Sequence, residues 1–217
     1  MRIPVLRKVL AANDRLADEL RAEFEKGGVF AVNLMGSPGA GKTSLVERTL
    51  ERAGDMRIGV IEGDPETSLD AERIARFGAP VVQVNTAGGC HLDAAMVRKA
   101  LGRLDLACLD VLLIENVGNL VCPSQFDLGE ACKAVVCSLP EGDDKILKYP
   151  GTFSLARAVI LNKMDLHQHL RFDVPGFRRH LSELNPQARL MELSCVTGEG
   201  LDRWMEWLKE GVGRTRA

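Results

Sequence analysis

Residues 29–45 read VFAVNLMGSPGAGKTSL, and this stretch decides the fold. Its first half is a short apolar run of the kind that forms a buried strand. Its second half, Gly36-Ser37-Pro38-Gly39-Ala40-Gly41-Lys42-Thr43, fits the spacing G-x-x-x-x-G-K-S/T. A strand before that pattern and a helix after it are the context in which it forms a phosphate-binding loop. The glycines let backbone N–H groups converge on phosphate oxygens without interference from a Cβ. The helix that opens at Lys42 adds a favourable dipole, and Ser44 continues the same turn. Lys42 is placed to bridge the β- and γ-phosphates and Thr43 to put its hydroxyl on Mg²⁺.

Outward from this loop, short apolar runs alternate with helical stretches. Strands are expected at 29–35, 57–63, 80–86, 110–117, 133–139, 156–162 and 188–194, and helices near 42–53, 66–77, 91–104, 176–184 and 200–210. Several runs are apolar on both faces, as buried parallel strands are. The alternation predicts an α/β fold, a mostly parallel sheet flanked by helices. Before residue 29, Val5, Leu6, Val9, Leu10, Leu16, Leu20 and Phe24 recur at near-helical spacing, with Gly27-Gly28 closing the segment. The expected organisation is therefore an N-terminal helical extension, 1–28, and one nucleotide-binding domain, 29–217.

Composition narrows the partners. Of 217 residues, 46% are hydrophobic, 27% charged and 5% aromatic, and the net charge is −2. No basic stripe and few stacking platforms argue against nucleic acid as a partner. No apolar run approaches the length of a membrane span, and the charged first residues lack a signal-peptide core. A cytoplasmic protein is expected. Six cysteines in such a protein are not expected to form a disulfide framework.

Base selection is written at Asn162-Lys163-Met164-Asp165, which ends the apolar run ARAVILN. The Asp165 carboxylate can accept from guanine N1–H and the exocyclic amine. Adenine offers no such donor pair and would leave a desolvated charge unpaired. Asn162 can tie the base loop to its surroundings, and the Lys163 stem can cover the base. Ser194 and Cys195 end the next strand, where the guanine would be touched from the other side. GTP and GDP are therefore the expected ligands.

Acidic residues close two other strands. Glu62-Gly63-Asp64 ends one, with Asp70 shortly after, and Glu115 ends VLLIEN. Such carboxylates can hold Mg²⁺ or orient the attacking water. Asp64, before Pro65, is also suited to cap a helix. Glu115 closes an apolar strand and needs a partner, which a metal or its waters would supply. Cys90-His91 and Cys122 leave strand ends on the same side. Two thiolates and an imidazole suit Zn²⁺ or Ni²⁺, although their spacing alone is a weak signal and buried free cysteines are common. Cys108, Cys132, Cys137 and Cys195 read as core or loop residues, and His167 and His169 as a solvated loop.

Taken together, GSPGAGKTSL, EGD with Asp70, NTAGGCHLDAAMV, ENVGNLVCPSQFDLGE, EGDDKILKYP and NKMDL resemble the nickel-insertion GTPases of NiFe-hydrogenase maturation, the HypB family. The resemblance runs from about residue 28 to 210. It implies a SIMIBI-class G domain that hydrolyses GTP slowly and dimerises with nucleotide or metal. It implies a Ni²⁺ or Zn²⁺ site at Cys90, His91 and Cys122 near the dimer interface, whose occupancy is gated by the GTP cycle. It also implies that Lys42, Asp70 and Glu115 serve catalysis, that Thr43, Asp64, Asp70 and Glu115 surround Mg²⁺, and that Lys148 reaches the partner's nucleotide. The implied partners are a nickel metallochaperone and a hydrogenase large-subunit precursor. Many members begin with a cysteine motif or a histidine-rich tract. Here no cysteine precedes Cys90 and no histidine precedes His91, so nickel storage at the N-terminus is not expected. A urease-type nickel GTPase would carry Cys-Pro-His; this chain has Cys122-Pro123-Ser124. A regulatory module that holds GTP without turnover is the alternative of another class.

Overall fold

The computed structural model describes residues 4–64 and 69–216. Among these residues, seven strands form one sheet: β1 Phe30–Met35, β2 Ile58–Asp64, β3 Val81–Asn85, β4 Val111–Glu115, β5 Cys132–Ser138, β6 Ala156–Asn162 and β7 Arg189–Glu192. The spatial order is β3-β2-β4-β1-β5-β6-β7. Every pairing is parallel, a stricter arrangement than the mostly parallel sheet expected. All six residues of β1 are buried, as a central strand that is apolar but for Asn33 requires.

Among the described residues, eight helices accompany the sheet: α1 Pro4–Gly27, α2 Lys42–Glu51, α3 Leu69–Ala75, α4 Ala94–Leu101, α5 Lys145–Lys148, α6 Pro150–Ser154, α7 Val174–Leu184 and α8 Leu201–Thr215. On one face, Leu45, Val46, Ile74, Trp204 and Leu208 pack on Val32, Leu34, Val60, Leu113 and Ile160. On the other, α1 and α4 place Ala17, Leu20, Phe24 and Val97 on Ala31, Ile61, Leu112 and Ile114. The two-residue period of β1 separates these sets: Val32 and Leu34 face one way, Ala31 the other. Burial of Leu20 contributes about 1.5–3 kcal/mol. Val5, Leu6 and Val9 of the expected stripe lie outside the residues whose side chains are described.

Three helix boundaries depart from the sequence reading. The helix expected from 91 starts at Ala94, because the Asp93 side chain accepts from Met96 N and caps it there. His91 is thereby left in a loop. The helix expected from 176 starts at Val174, where Asp173 accepts from Gly176 N and Pro175 occupies the first turn. The helix expected over 66–77 is seen as Leu69–Ala75, and residues 65–68 lie outside the described set. No helix among the described residues is long and apolar enough to cross a membrane.

Candidate functional site

The C-terminal ends of β1, β2, β4 and β6 open on one edge, and their loops meet there. Gly41, at φ +99°, ends the phosphate loop and opens α2. A Cβ on it would lie 2.3 Å from Asn162 Nδ2, so only glycine fits. Asn162 in turn ties three segments together. Its Nδ2 donates to Ala40 O (3.1 Å), and its Oδ1 accepts from Lys163 N (2.7 Å) and Cys195 N (3.1 Å). The phosphate loop, the NKMD turn and the Ser194–Cys195 turn are thus registered through one buried amide. Lys163 adopts φ +63° and donates from Nζ to Gly39 O (2.7 Å). Ser194 Oγ donates to Asp165 Oδ1 at 2.5 Å, which holds the carboxylate at the end of β6.

A cavity of about 500 Å³ lies beside this junction, lined by Pro38, Gly39, Gly41, Lys42, Thr43, Ser44, Glu62, Asp64, Asp70, Glu115, Gly118 and Lys163. Gly36 and Ser37 lie at the base of the loop, where Lys42 Nζ donates to Gly36 O (3.3 Å) and Ser37 O (3.5 Å). Thr43 Oγ1 donates to Glu115 Oε1 at 2.8 Å, joining two of the four residues expected around Mg²⁺. Burial pushes Glu115 up to about 7, against the pull of Lys42 and Thr43. It pushes Glu62 up to about 8, with Glu115 adding repulsion. Burial lowers the Lys42 ammonium, while Glu115 and Glu141 oppose the shift. Among the described residues, Glu62 Oε2 and Glu115 Oε2 are buried with no hydrogen-bond partner. Oxygens of Glu62, Asp64 and Asp70 lie within 4.8 Å of one another. Asp70 also pairs with Arg73 at 3.1 Å. Orphaned carboxylate oxygens at the phosphate loop are the surroundings a hard divalent cation fits, so the donor set suits Mg²⁺.

The second group of ligand atoms lies at the exits of β3 and β4. Cys90, His91 and Cys122 bring one ligand atom each to within 4.8 Å of the others, with Cys90 Sγ 3.5 Å from His91 Nδ1. The turn that delivers Cys90 is tight. Thr86 Oγ1 donates to Gly89 O (2.8 Å), and Gly89 N donates to Thr86 O (3.0 Å). Cys122 opens a 3₁₀ turn, Cys122–Gln125, with Pro123 in its first positions. Phe126 ends that turn and stacks on the His91 ring, with centroids 3.8 Å apart and planes 23° from parallel. A hydrogen bond with Cys122 holds the Cys90 thiol above its ordinary range, and burial lowers His91. Two sulfurs and a neutral imidazole are a donor set for a borderline or soft divalent ion.

The structure brings together all the candidate residues of the phosphate, base and thiol groups. Lys148 stands apart, exposed and paired with Asp144 at 2.6 Å. Two contributors went unmarked by the sequence reading, and a third, Glu62, was read only as one of the strand-end acids and not placed in the magnesium set; its burial separates it from Asp64. Lys145 donates to Ser37 Oγ at 3.2 Å from outside the expected helices. Phe126 carries no chemical signature, and only its stacking on His91 shows its place. Cys137 and Cys195 are buried as expected, and Cys108 is exposed.

Residues 30–192 match the family model described as CobW/HypB/UreG, nucleotide-binding domain. The chain is 50% identical over 211 residues to the hydrogenase maturation factor HypB of Azotobacter vinelandii, covering 96% of this chain and 70% of that protein. The crystal structure of HypB from Helicobacter pylori in complex with nickel superposes with a TM-score of 0.90 at 39% identity, over 94% of this chain and 96% of that one. The 54 kDa signal recognition particle protein of Aeropyrum pernix, solved with GDP, shares the SIMIBI-type fold alone, at a TM-score of 0.56 and 16% identity over 86% of this chain and 49% of that one. With a phosphate loop, a guanine-type carboxylate turn and these relatives, the chain belongs to the CobW/HypB/UreG family, as a P-loop GTPase of its HypB hydrogenase-maturation branch.

Proposed function

We propose that this protein is a nickel metallochaperone of the cytoplasm in which a slow GTP cycle controls a Cys/His metal site during hydrogenase maturation. The observation that carries the reading is the segment from Glu115 to Cys122. Its first residue is hydrogen-bonded to Thr43 of the phosphate loop, and its last is a thiol of the Cys90–His91–Cys122 cluster. Between them, Asn119 bridges Gly36, and Gly118 packs so closely on Pro38 that a Cβ would meet it at 2.9 Å.

In this reading Gly36 to Ser44 cradle the phosphates of GTP or GDP, and Asn162, Lys163, Asp165, Ser194 and Cys195 hold the guanine. Thr43, Asp64, Asp70 and Glu115 surround Mg²⁺, with buried Glu62 added to the set. When bound, that cation supplies charge neutralisation at the β- and γ-phosphate oxygens. Lys42 offsets charge that develops on the γ-phosphoryl group, and Asp70 or Glu115 orients the attacking water. Nickel, or zinc in its stead, is the cargo at Cys90, His91 and Cys122; the Helicobacter pylori relative solved with nickel supports nickel as the cargo. Three protein donors leave a tetrahedral site open, which suits a second subunit and hence a homodimer. Delivery then needs a nickel-donating metallochaperone and a hydrogenase large-subunit precursor as acceptor.

Ni²⁺ titration in the presence of GDP and of a non-hydrolysable GTP analogue, with sizing of each form, tests the proposal. Wild type is expected to bind stoichiometric metal with an affinity that depends on nucleotide. Cys90→Ala and Cys122→Ala are expected to lose the metal and keep GDP. Unchanged stoichiometry in both variants would refute the assigned site.

A further inference from the structure

We propose that Asn116 is the positioning residue that transmits the nucleotide state to the metal loop, an inference that rests on the coupled function above. Asn116 follows Glu115 directly and is 1% exposed. Its Oδ1 accepts from Leu92 N, the residue after His91, and from Val117 N, both at 3.0 Å. Its Nδ2 donates to Asn33 Oδ1 at 3.1 Å. Its backbone N donates to Leu34 O at 3.0 Å, on the strand that leads into the phosphate loop.

The chain of contacts continues until it returns to the metal loop. Asn33 Nδ2 donates to Glu130 Oε1 at 3.2 Å. Glu130 pairs with Lys133, and Lys133 Nζ donates to Phe126 O at 2.9 Å. Phe126 stacks on His91. The circuit Leu92–Asn116–Asn33–Glu130–Lys133–Phe126–His91 therefore holds the imidazole from its backbone side and from its ring face. Neither amide can flip alone. Turning Asn116 would set its NH₂ against two N–H donors, and turning Asn33 would set its oxygen against Glu130 Oε1. The direction of each bond is fixed by its neighbour.

An apolar side chain would fill the same space, but it would leave the Leu92 and Val117 N–H groups buried without an acceptor. The polar residue is needed because the loop after His91 hangs on it. A shift of Glu115 with the nucleotide moves Asn116, and both supports of His91 move with it. Coupling of this kind is expected to change metal affinity by about 5–150-fold between nucleotide states.

The test compares wild type with Asn116→Ala. Ni²⁺ affinity is measured by competition with a chromophoric chelator, in GDP and in Mg²⁺ with a non-hydrolysable GTP analogue. Hydrogen exchange is followed in the peptide covering residues 86–96. In wild type both readouts respond to nucleotide. In Asn116→Ala the affinity ratio is expected to fall to within about twofold of one and the exchange response to vanish, while GDP affinity and metal stoichiometry persist. If Asn116→Ala does not fold, Asn33→Ala, which removes the acceptor that fixes the Asn116 amide, carries the same two readouts and the same expectation. A wild-type ratio retained in the variant overturns the inference alone. A ratio of one in wild type overturns the coupled function first and this inference with it.

Discussion

Gly41→Ala is the substitution whose cost follows most directly from the geometry. Gly41 sits at φ +99°, where an L side chain costs about 1–3 kcal/mol in backbone strain. The new Cβ would also stand 2.3 Å from Asn162 Nδ2 and must push that amide away. Asn162 is 1% exposed, so displacing it forfeits at least one buried hydrogen bond, worth about 1–3 kcal/mol. The sum is about 2–6 kcal/mol of stability, or a melting temperature lower by roughly 4–24 °C in a chain of this size. The strain acts with or without nucleotide. What reaches GDP affinity is the lost registration of the phosphate loop against the NKMD and Ser194–Cys195 turns. A share of about 1–3 kcal/mol corresponds to roughly 5–150-fold weaker binding. Gly54→Ala is the control: it has φ +57° but nothing within 4 Å of its Cβ, so it should show strain alone and wild-type affinity. Melting curves and titration with a fluorescent GDP analogue measure both quantities. If Gly41→Ala binds GDP as wild type does and melts no lower than Gly54→Ala, the Asn162 tether does not do what is claimed for it.

On the proposed guanine site, Asp165→Asn should weaken GDP about 10²-fold, because a neutral amide replaces the carboxylate that would face two guanine donors; xanthosine diphosphate, with a carbonyl in place of the amine, should gain in competition titrations. Trp204→Phe removes the 2.8 Å bond from Nε1 to Thr49 Oγ1 in a fully buried position. It should cost about 1–3 kcal/mol in denaturant melts without changing GDP affinity. Hydrogen bonds from Arg57, then from Arg216, hold the Asp110 carboxyl well below the usual range. A carboxyl lowered in the folded state contributes stability that is present above its unfolded value, about 4, and lost as pH falls through the folded value. Asp110→Asn should therefore destabilise the protein at pH 7, and the gap to wild type should narrow in melts taken toward pH 3.

The strands were readable because a central parallel strand is apolar on both faces, and β1, β4 and β6 are apolar almost without interruption. The phosphate loop and NKMD were readable because their chemistry is local, contained in eight and four consecutive residues. The helices α5 and α6, of four and five residues, are too short to show a 3.6-residue period and were missed. The start of α4 was misplaced because the apolar pattern runs past the Asp93 cap. Convergence of Cys90, His91 and Cys122 could not be derived from spacing, since the thiols are separated by a helix and a strand, α4 and β4; the family motifs supplied it. Asn33, Asn116, Glu130 and Phe126 read as unremarkable polar or apolar residues. The meaning of the first three lies in hydrogen bonds across 24 to 97 residues of sequence, and that of Phe126 in its stacking on His91, which no local pattern carries.

The length of the Glu115–Cys122 segment argues against a loose connection between the two sites. Eight residues of extended chain could span roughly 25 Å, more than enough to absorb a small movement at one end without passing it on. The segment has no such slack. Asn116 is bonded to β1 and to the metal loop, Gly118 abuts Pro38, and Asn119 bridges Gly36. Leu120 O accepts from buried Thr152, and Val121 N donates to Asn119 Oδ1 at 2.8 Å. A displacement of Glu115 is therefore met by a packed element, and packed elements rearrange between discrete positions instead of deforming smoothly. The same attachment works in reverse: a metal that fixes Cys122 against Cys90 and His91 restricts where Glu115 can stand beside Thr43. Reciprocity of that kind requires nucleotide affinity to change with metal by the same factor as metal affinity changes with nucleotide.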